Sequence, residues 1–317
     1  MTPPTSADAA DEAQCQPVNK WAAVQKSIGT LDPADEVRDR IDRTISGELR
    51  TIGSPWPNLS NLTQCLQPKT VTMLCGEPGS AKSLLLLQWC AWIIDHGETV
   101  SLLALECDRQ FHLFRRLVQL SGVTELLDHE WVKKNGDAAA KLQIIHADAL
   151  NTLGVRISEA PKMNVTYEAA IKWIAREAKH SRVLAIDPIT ALTPGDKPWL
   201  NDHKFTTEVS TIMKDTGSSL ICVTHPGKQR EKGAPSMKDL AGGAAYERFT
   251  DTILWIRNDG IEEVEVYGAF GNRETQTCNR QIRMCKTRNG RGAGFHMAMD
   301  FDKKSLTFRE LGVIVEE

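Results

Sequence analysis

Residues 70–90 place a glycine-containing turn between two apolar segments, and this turn restricts the folds open to the chain. A β-branched, apolar run ends at Cys75, the turn at residues 76–83 reads GEPGSAKS, and a leucine-rich segment follows. A strand, such a turn and a helix, in that order, form the phosphate-binding unit of many α/β proteins. Its backbone N–H groups converge on phosphate oxygens at the positive end of the helix. The turn therefore predicts an α/β fold with an anion site beside the sheet.

From residue 70 onward, short apolar runs alternate with amphipathic segments. Strands that are apolar throughout are typical of a mostly parallel central sheet with helices on both faces. After residue 256, short strands joined by Gly/Asn turns indicate C-terminal β-hairpins at the far edge of the sheet. The predicted strands are 70–75, 99–105, 142–146, 183–186, 219–224 and 252–256, and the predicted helices are 82–95, 109–120, 167–179 and 204–214.

The charge and cysteine content limit the kinds of function that the protein can have. The chain has 38 Lys and Arg against 41 Asp and Glu, a net charge of -3, so nucleic-acid binding would require local basic patches. Eight cysteines show no C-x-x-C pair, and several lie in apolar runs, which favours buried, reduced thiols over disulfides or zinc. No signal peptide opens the chain, and its apolar runs are shorter than the ~20 residues that span a bilayer. We expect a soluble, cytoplasmic protein.

The sequence before residue 51 differs from the rest. Residues 1–18 are rich in Pro, Ala and Asp, and we expect a disordered tail. Residues 19–50 form a predicted helical docking segment, in which Val37, Ile41 and Ile45 recur at helical spacing. This apolar stripe would dock either on the chain's own core or on a neighbouring subunit. Residues 51–317 form the predicted main domain.

The turn at residues 76–83 supplies the residue types that a nucleoside triphosphate requires. Lys82 would reach the β- and γ-phosphates, and the Ser83 hydroxyl would ligate Mg²⁺. The usual pattern has glycine where this chain has Ala81, and a near-helical backbone there would accept alanine without a φ penalty. The alternative is an ordinary turn with a chance Lys-Ser pair. The predicted nucleotide-binding residues are Gly76, Glu77, Pro78, Gly79, Ser80, Ala81, Lys82 and Ser83.

Two acids follow predicted strands and are candidates for the chemistry of hydrolysis. Asp187 ends an apolar strand, where open α/β sheets bind ligands, and would hold the magnesium ion together with Ser83. Glu106 follows another strand and would polarise the attacking water. The alternatives are turn or helix-capping roles for Asp187 before Pro188, and helix-capping chemistry around Glu106, since Asp108 is itself a good N-cap.

The order of these motifs carries a resemblance to a known family. After the phosphate loop come Leu105-Glu106, Ile186-Asp187-Pro188, a strand ending in Thr224-His225, and finally Lys286-Thr-Arg-Asn-Gly290. The lead-in at residues 54–67 and the segment at residues 235–255 belong to the same pattern. The series resembles the RecA-like ATPase domain of bacterial replicative helicases of the DnaB type, and of plasmid RepA-type hexameric helicases, over residues 51–311.

The resemblance implies a P-loop NTPase that uses ATP and Mg²⁺, and it implies roles for particular residues. Glu106 would be the catalytic base, and Asp187 the acid on the magnesium side. His225 would sense the γ-phosphate where DnaB-type proteins carry Gln; alternatively it is a satisfied strand-end histidine. Lys286 and Arg288 would reach the nucleotide of the neighbouring subunit. The Asn289-Gly290 pair favours a two-residue hairpin turn that would project Arg288 outward.

Two loops are candidates for nucleic-acid contact. Residues 226–238 carry four basic side chains against Glu231, and the family places pore loops here and at residues 192–203. Such loops grip the phosphate backbone without reading sequence, although a merely solvated loop is the alternative. The family often has an arginine near Ala241, which this chain lacks, and we expect no separate amino-terminal domain, because only about fifty residues precede the ATPase segment. The predicted DNA-binding residues are Lys228, Arg230, Lys232, Lys238, Gly242 and Gly243.

Three functional hypotheses follow. The first is a homo-oligomeric, hexameric ATPase that moves along single-stranded DNA and unwinds duplex DNA, as in DNA replication. The second is a RecA/KaiC-like ATPase switch or scaffold that controls assembly or a partner. The third is an NTPase with no nucleic-acid role.

Overall fold

The computed structural model describes residues 32–159, 165–193, 198–227, 235–241, 244–268 and 271–315. The chain divides into two compact units, Met1–Leu49 and Arg50–Glu317. The helices are α1 (Pro33–Ile45), α2 (Pro57–Thr63), α3 (Lys82–Asp95), α4 (Arg109–Ser121), α5 (His129–Lys134), α6 (Gly136–Ile145), α7 (Ala147–Gly154), α8 (Tyr167–Glu177), α9 (Pro198–Thr216) and α10 (Ala244–Phe249).

Within the described residues, eleven strands form one mixed sheet. They are β1 (Val71–Gly76), β2 (Val100–Ala104), β3 (Ile157–Glu159), β4 (Val183–Asp187), β5 (Ser219–Val223), β6 (Thr252–Arg257), β7 (Glu262–Tyr267), β8 (Arg273–Cys278), β9 (Arg280–Thr287), β10 (His296–Asp302) and β11 (Thr307–Ile314). Five of the six strand predictions are confirmed to within one residue at each end. The helix prediction at 82–95 is confirmed at both ends, whereas α9 begins six residues before the predicted 204.

The strand order is β3-β2-β4-β5-β1-β6-β9-β10-β11-β7-β8. The strands from β3 to β6 pair in parallel, and every pairing from β6 to β8 is antiparallel. The parallel part and the C-terminal antiparallel part therefore match the predicted architecture. Because parallel strands share one direction, the carboxyl ends of β1, β2, β4 and β5 lie at a single edge of the sheet.

The parallel strands are buried on both faces, which explains their apolar composition. One face packs on α3 through a cluster that includes Leu74, Leu85 and Trp89. The opposite face packs on α8 and α9 through a cluster that includes Ile174 and Phe205. Side chains alternate between the two clusters along each strand, as the pleat of a strand requires. Because helices pack on both faces, the sheet is rigid and the residues at its edges have fixed positions.

The predicted strand at residues 142–146 is wrong, because this stretch lies mostly in α6. The segment Gly136–Ile145 is rich in alanine, the best helix former, and it carries Ile144 and Ile145 to an exposed end. A short apolar run does not by itself distinguish a strand from a helix end. The third strand of the parallel part is instead β3, which follows a helical segment packed around Leu117, Leu126 and Leu150.

In the first unit, α1 confirms the predicted helix near residues 35–46. Asp32 caps it by accepting a hydrogen bond from the Ala34 N–H, and a proline begins the first turn. The stripe residues Val37, Ile41 and Ile45 are 61%, 52% and 79% exposed. The stripe is therefore an apolar surface on a helix that is otherwise strongly charged. The predicted tail at residues 1–18 lies outside the described residues.

Candidate functional site

The phosphate loop joins β1 to α3, and it requires glycine at two positions, at Gly76 because of close packing and at Gly79 because of the backbone conformation. A Cβ at Gly76 would lie 2.5 Å from the carbonyl oxygen of Ile256 on β6 and 2.7 Å from the Ser80 Oγ, so only glycine fits there. Gly79 has a φ of +80°, in the left-handed region that glycine adopts without strain. The Ser80 Oγ is buried and has no hydrogen-bond partner among the described residues. An unpaired hydroxyl in this position can donate a hydrogen bond to an anionic ligand.

Ala81 does not have the near-helical backbone expected from the sequence. Its φ of 71° and ψ of 31° place it in the left-handed region immediately before α3. An L-residue with a Cβ is disfavoured there because the Cβ crowds the following carbonyl oxygen. The expectation that alanine would fit without a penalty is therefore wrong. The conformation also explains why glycine is the usual residue at this position.

Lys82 and Ser83 begin α3 and point into the loop and toward the sheet. The Lys82 Nζ is buried and donates hydrogen bonds to the carbonyl oxygens of Gly76, at 2.7 Å, and Glu77, at 3.0 Å. Burial lowers the pKa of Lys82, whereas the nearby Cys75 and Asp187 raise it. The Ser83 hydroxyl donates a hydrogen bond to Asp187. This contact brings together two oxygens of the kind that Mg²⁺ prefers.

Asp187 ends β4, and the residue is 5% exposed. Burial raises the pKa of Asp187 to about 6, and the hydrogen bond from Ser83 acts in the opposite direction. The carboxylate of Glu106 raises it further, which shows that the two acids share one electrostatic environment. A cation bound at this edge would relieve both the burial cost and the repulsion. The buried carboxylate and the serine hydroxyl therefore fit a magnesium ion.

Glu106 lies two residues beyond β2, in an exposed bend. The register pairs Ala104 at the end of β2 with Asp187 at the end of β4. The helix cap at this point is Asp108, whose Oδ1 accepts a hydrogen bond from the Phe111 N–H at 2.7 Å. Because Asp108 performs the capping, Glu106 is not required for it. Its charge raises the pKa of Lys82 and of His225, so it lies within electrostatic range of the phosphate loop.

His225 follows β5 at the same edge and contacts the segment after Asp187. Its Nδ1 lies 2.7 Å from the Thr190 Oγ1. Burial lowers the pKa of His225, the Lys82 cation lowers it further, and Glu106 acts in the opposite direction. Thr190 was not predicted from the sequence, because its role depends on a contact with a residue 35 positions away. The hydroxyl fixes the imidazole beside the phosphate loop.

Lys286 and Arg288 lie at the opposite edge of the sheet. Thr287 pairs with Thr252 at the beginning of β6, whereas Ile256 near the other end of β6 pairs with Gly76. The four residue steps from Thr252 to Ile256 span about 13 Å, so both cations lie at the end of β6 opposite the chain's own phosphate loop. The Arg288 guanidinium is half-exposed and contacts the Asp251 carboxylate and the Arg248 carbonyl oxygen. Lys286 donates to the Glu247 carbonyl oxygen.

The predicted two-residue turn at Asn289-Gly290 is wrong, because residues 288–295 connect β9 to β10. Gly290 packs against the backbone of α2, where a Cβ would lie 1.9 Å from the Leu62 carbonyl oxygen. The Gly292 N–H donates to the same oxygen at 2.9 Å. The glycine is therefore needed for a close approach between segments and not for a tight hairpin.

The first candidate DNA loop leaves the sheet immediately after His225. Its two ends pair through a bridge between Pro226 and Leu240, with the Gly227 N–H donating to the Asp239 carbonyl oxygen at 2.7 Å. Lys238 lies in a short 3₁₀ turn beside this bridge. The described ends of the second segment, residues 192–203, belong to the end of a 3₁₀ turn and to α9. Lys228, Arg230, Lys232, Gly242 and Gly243 lie outside the described residues.

Seven cysteines in the described ranges form no disulfide, and five of them are buried. Within the described ranges there is no group of three or more His, Cys, Asp or Glu side chains placed to share a metal ion. Every helix in these ranges is too short or too polar to span a membrane.

The parallel strand order, the phosphate loop between β1 and α3, and the acids at neighbouring strand ends define a RecA-like α/β domain. A family model for the DnaB-like helicase C-terminal domain matches residues 52–310. The chain therefore belongs to the DnaB-like helicase C-terminal domain family.

Solved structures support the same fold. One of them, described as an ATPase domain, is similar with a TM-score of 0.67 at 14% identity, covering 89% of this chain and 99% of that one. A DnaB-like replicative helicase, described together with its interactions with primase, is similar with a TM-score of 0.65 at 15% identity, covering 92% of this chain and 72% of that one. Comparison with curated protein sequences found no significant match.

Proposed function

We propose that this chain is an ATP-hydrolysing, homo-oligomeric DNA helicase or single-stranded DNA translocase of the DnaB-like type. The observation that carries the proposal is the convergence of an amide-lined turn, a lysine, two acids and a histidine at one edge of the sheet. The groups are Lys82, Ser83, Glu106, Asp187 and His225, and pairs of them are linked by hydrogen bonds or by electrostatic effects on pKa.

Each of these groups has a distinct part in ATP hydrolysis. The turn at residues 76–83 binds the phosphates through its N–H groups, and Lys82 exchanges its two loop carbonyls for phosphate oxygens. Ser83 and Asp187 hold Mg²⁺, which neutralises charge on the phosphates. Glu106 accepts a proton from the attacking water. His225, oriented by Thr190, donates a hydrogen bond to the terminal phosphate.

The position of Lys286 and Arg288 supports a site shared between subunits. Both cations lie at the amino-terminal end of β6, whereas the chain's own phosphate loop lies beside its carboxyl end. An arginine supplied by a neighbouring subunit can stabilise the charge of the transition state and raise kcat by about 10³–10⁵. Turnover then depends on assembly. We propose a homo-oligomer, and a hexamer by analogy with the helicases of this family.

The loop after His225 supports coupling of nucleotide state to DNA. The Ala241 N–H donates to the His225 carbonyl oxygen at 3.1 Å, so the base of the loop is bonded to the proposed phosphate sensor. The sequence of this loop carries Lys228, Arg230 and Lys232. Basic side chains that bind the DNA backbone give affinity that falls steeply with salt and does not depend on base sequence.

The proposal is tested by measuring ATP turnover with and without single-stranded DNA, together with the mass of the particle. We expect DNA to stimulate turnover in an oligomer, and Lys82→Ala to abolish it. Reversing the charges of Lys228, Arg230 and Lys232 should remove the stimulation while leaving DNA-free turnover intact. The matched control reverses Lys133, Lys134 and Lys141 on α5 and α6, an equal change of net charge on two helices outside the loop sequence.

Two outcomes would contradict the proposal in different ways. If DNA still stimulates ATP turnover after the charges of the loop are reversed, this loop does not bind the DNA. Turnover stimulated by DNA without any ATP-dependent unwinding or movement along the strand would favour the switch or scaffold hypothesis. Unwinding is measured on a forked duplex, and movement on a strand with a blocked end.

A further inference from the structure

Asp251 is a charged residue to which the proposed site gives no role, and it joins three elements at the amino-terminal edge of the sheet. It lies between α10 and β6, and its side chain is 19% exposed. The Asp251 Oδ2 accepts a hydrogen bond from the Val71 N–H at the start of β1, at 2.9 Å. Its Oδ1 lies 3.4 Å from the Arg288 Nη1. One carboxylate thus connects the strand of the phosphate loop to the proposed trans-acting arginine.

The backbone of Asp251 strengthens this connection. Its N–H donates to the Val71 carbonyl oxygen at 2.9 Å, and its carbonyl oxygen accepts from the Arg288 N–H at 2.9 Å. Both the main chain and the side chain of Asp251 therefore contact Val71 and Arg288. Such a carboxylate has little freedom to move, and it can hold a long, flexible side chain in one direction.

The Arg288 side chain is held at a second point. Its Nη2 donates to the carbonyl oxygen of Arg248, near the end of α10, at 2.8 Å. The last carbonyls of a helix have no partner within the helix and attract cations. Lys286 contacts the preceding carbonyl, that of Glu247. The C-terminal end of α10 and the Asp251 carboxylate together orient both cations.

The contacts leave part of the guanidinium available. Arginine has five N–H donors in a planar fork, and these two contacts engage two of them. The side chain is half-exposed, so it is accessible to a ligand. A guanidinium that two contacts already orient, and that is still accessible, loses less conformational freedom when it binds a phosphate. Such orientation favours catalysis.

We propose that Asp251 is a positioning residue for Arg288: bonded to the start of β1, its carboxylate orients the guanidinium toward the nucleotide of the neighbouring subunit. The inference rests on the proposed function, because it requires Arg288 to act in trans. Asp251 also ties the arginine to the strand that carries the chain's own phosphate loop. Because this contact is at Val71, the end of β1 opposite the loop, we expect Asp251 to affect catalysis in the adjacent site and not nucleotide binding in the chain's own site.

The test is Asp251→Asn in the assembled, full-length protein. Asparagine keeps an oxygen for the Val71 N–H but removes the charge that faces Arg288. We expect kcat to fall about tenfold, because the guanidinium loses its orientation, while the KM for ATP stays within about twofold. The matched control is Asp300→Asn, which weakens an Asp–Arg pair of similar length, 3.3 Å to Arg309, elsewhere in the sheet. The control should turn over ATP at the wild-type rate.

A double-mutant cycle separates positioning from a general structural role. Asp251→Asn is also measured in the Arg288→Ala background. If Asp251 acts through Arg288, it should cause no further loss of kcat there. An equal loss in both backgrounds would overturn the inference, and so would an unchanged or increased kcat in the single variant. If Asp251→Asn does not assemble, Asp251→Glu is measured in the same cycle, since it keeps the charge and displaces the carboxylate.

The same cycle distinguishes this inference from the proposed function. A strong defect in Arg288→Ala with a normal Asp251→Asn would refute the positioning role alone. Full turnover in assembled Arg288→Ala would refute both the trans-acting arginine and the role of Asp251.

Discussion

Replacing Ala81 with glycine should stabilise the domain, although most glycine substitutions destabilise proteins. Ala81 has a φ of 71° in the phosphate loop, where its Cβ crowds the backbone. Glycine removes this strain, which is worth about 1–2 kcal/mol for an L-residue in the left-handed region. Glycine also gives the unfolded chain more freedom, which costs about 0.4–1 kcal/mol. The difference predicts a net stabilisation of about 0.5–1 kcal/mol.

A stabilisation of this size is measurable by thermal or denaturant unfolding in the absence of nucleotide. We expect the unfolding midpoint to rise by about 1–4 °C, given the usual relation between free energy and midpoint for domains of this size. Nucleotide affinity should change by less than about threefold, because the strain is present in the folded loop before any ligand binds. Equilibrium titration with a fluorescent ATP analogue measures this second quantity.

Two further glycine variants serve as controls. Lys69 has a φ of 74° outside the loop and is exposed, so Lys69→Gly should also stabilise. Ala140 is exposed within α6, where glycine should destabilise by about 1 kcal/mol. The reasoning would be refuted if Ala81→Gly lowered the midpoint as Ala140→Gly does.

Three other variants probe the site and the core. Glu106→Gln should bind nucleotide normally but lower turnover by at least about 100-fold in single-turnover assays, since the general base is lost; a smaller loss would assign that role elsewhere. Thr190→Val should lower kcat about threefold to tenfold without changing nucleotide affinity, because His225 loses its orienting hydroxyl; weaker binding instead would place the hydroxyl in nucleotide recognition. Burial lowers the pKa of His112 to about 4, so this residue is neutral when folded and charges on unfolding below pH 6.5. The free energy of unfolding should therefore fall by up to about 3 kcal/mol between about pH 6.5 and pH 4, and His112→Leu should flatten that part of the profile; an unchanged profile would contradict the assignment.

The sequence predicted the parts of the fold that depend on local pattern. A leucine-rich helix after the phosphate loop, and apolar strands buried on both faces, have composition and periodicity that few other structures satisfy. The positions of Glu106 and Asp187 followed from the rule that parallel strands end at one edge, and the register places those strand ends together.

The remaining features depend on contacts between distant segments. The φ of Ala81 is imposed by the geometry of the loop and is opposed by the residue's own preference. Gly290 packs on the backbone of α2, which a local turn signal does not reveal. Asp251 contacts Val71 at a separation of 180 residues, so no spacing pattern indicates its role. Strain and long-range contacts of this kind concentrate at functional sites.

The most direct test of the shared site mixes two variants that are each inactive. Lys82→Ala destroys the phosphate loop but keeps Arg288, and Arg288→Ala has the reverse defect. If each nucleotide is bound by one subunit and its hydrolysis is assisted by the next, random co-assembly of equal amounts restores about a quarter of the sites. ATP turnover of the mixture should therefore rise well above that of either variant alone. A mixture that co-assembles and remains as inactive as its components would contradict the account.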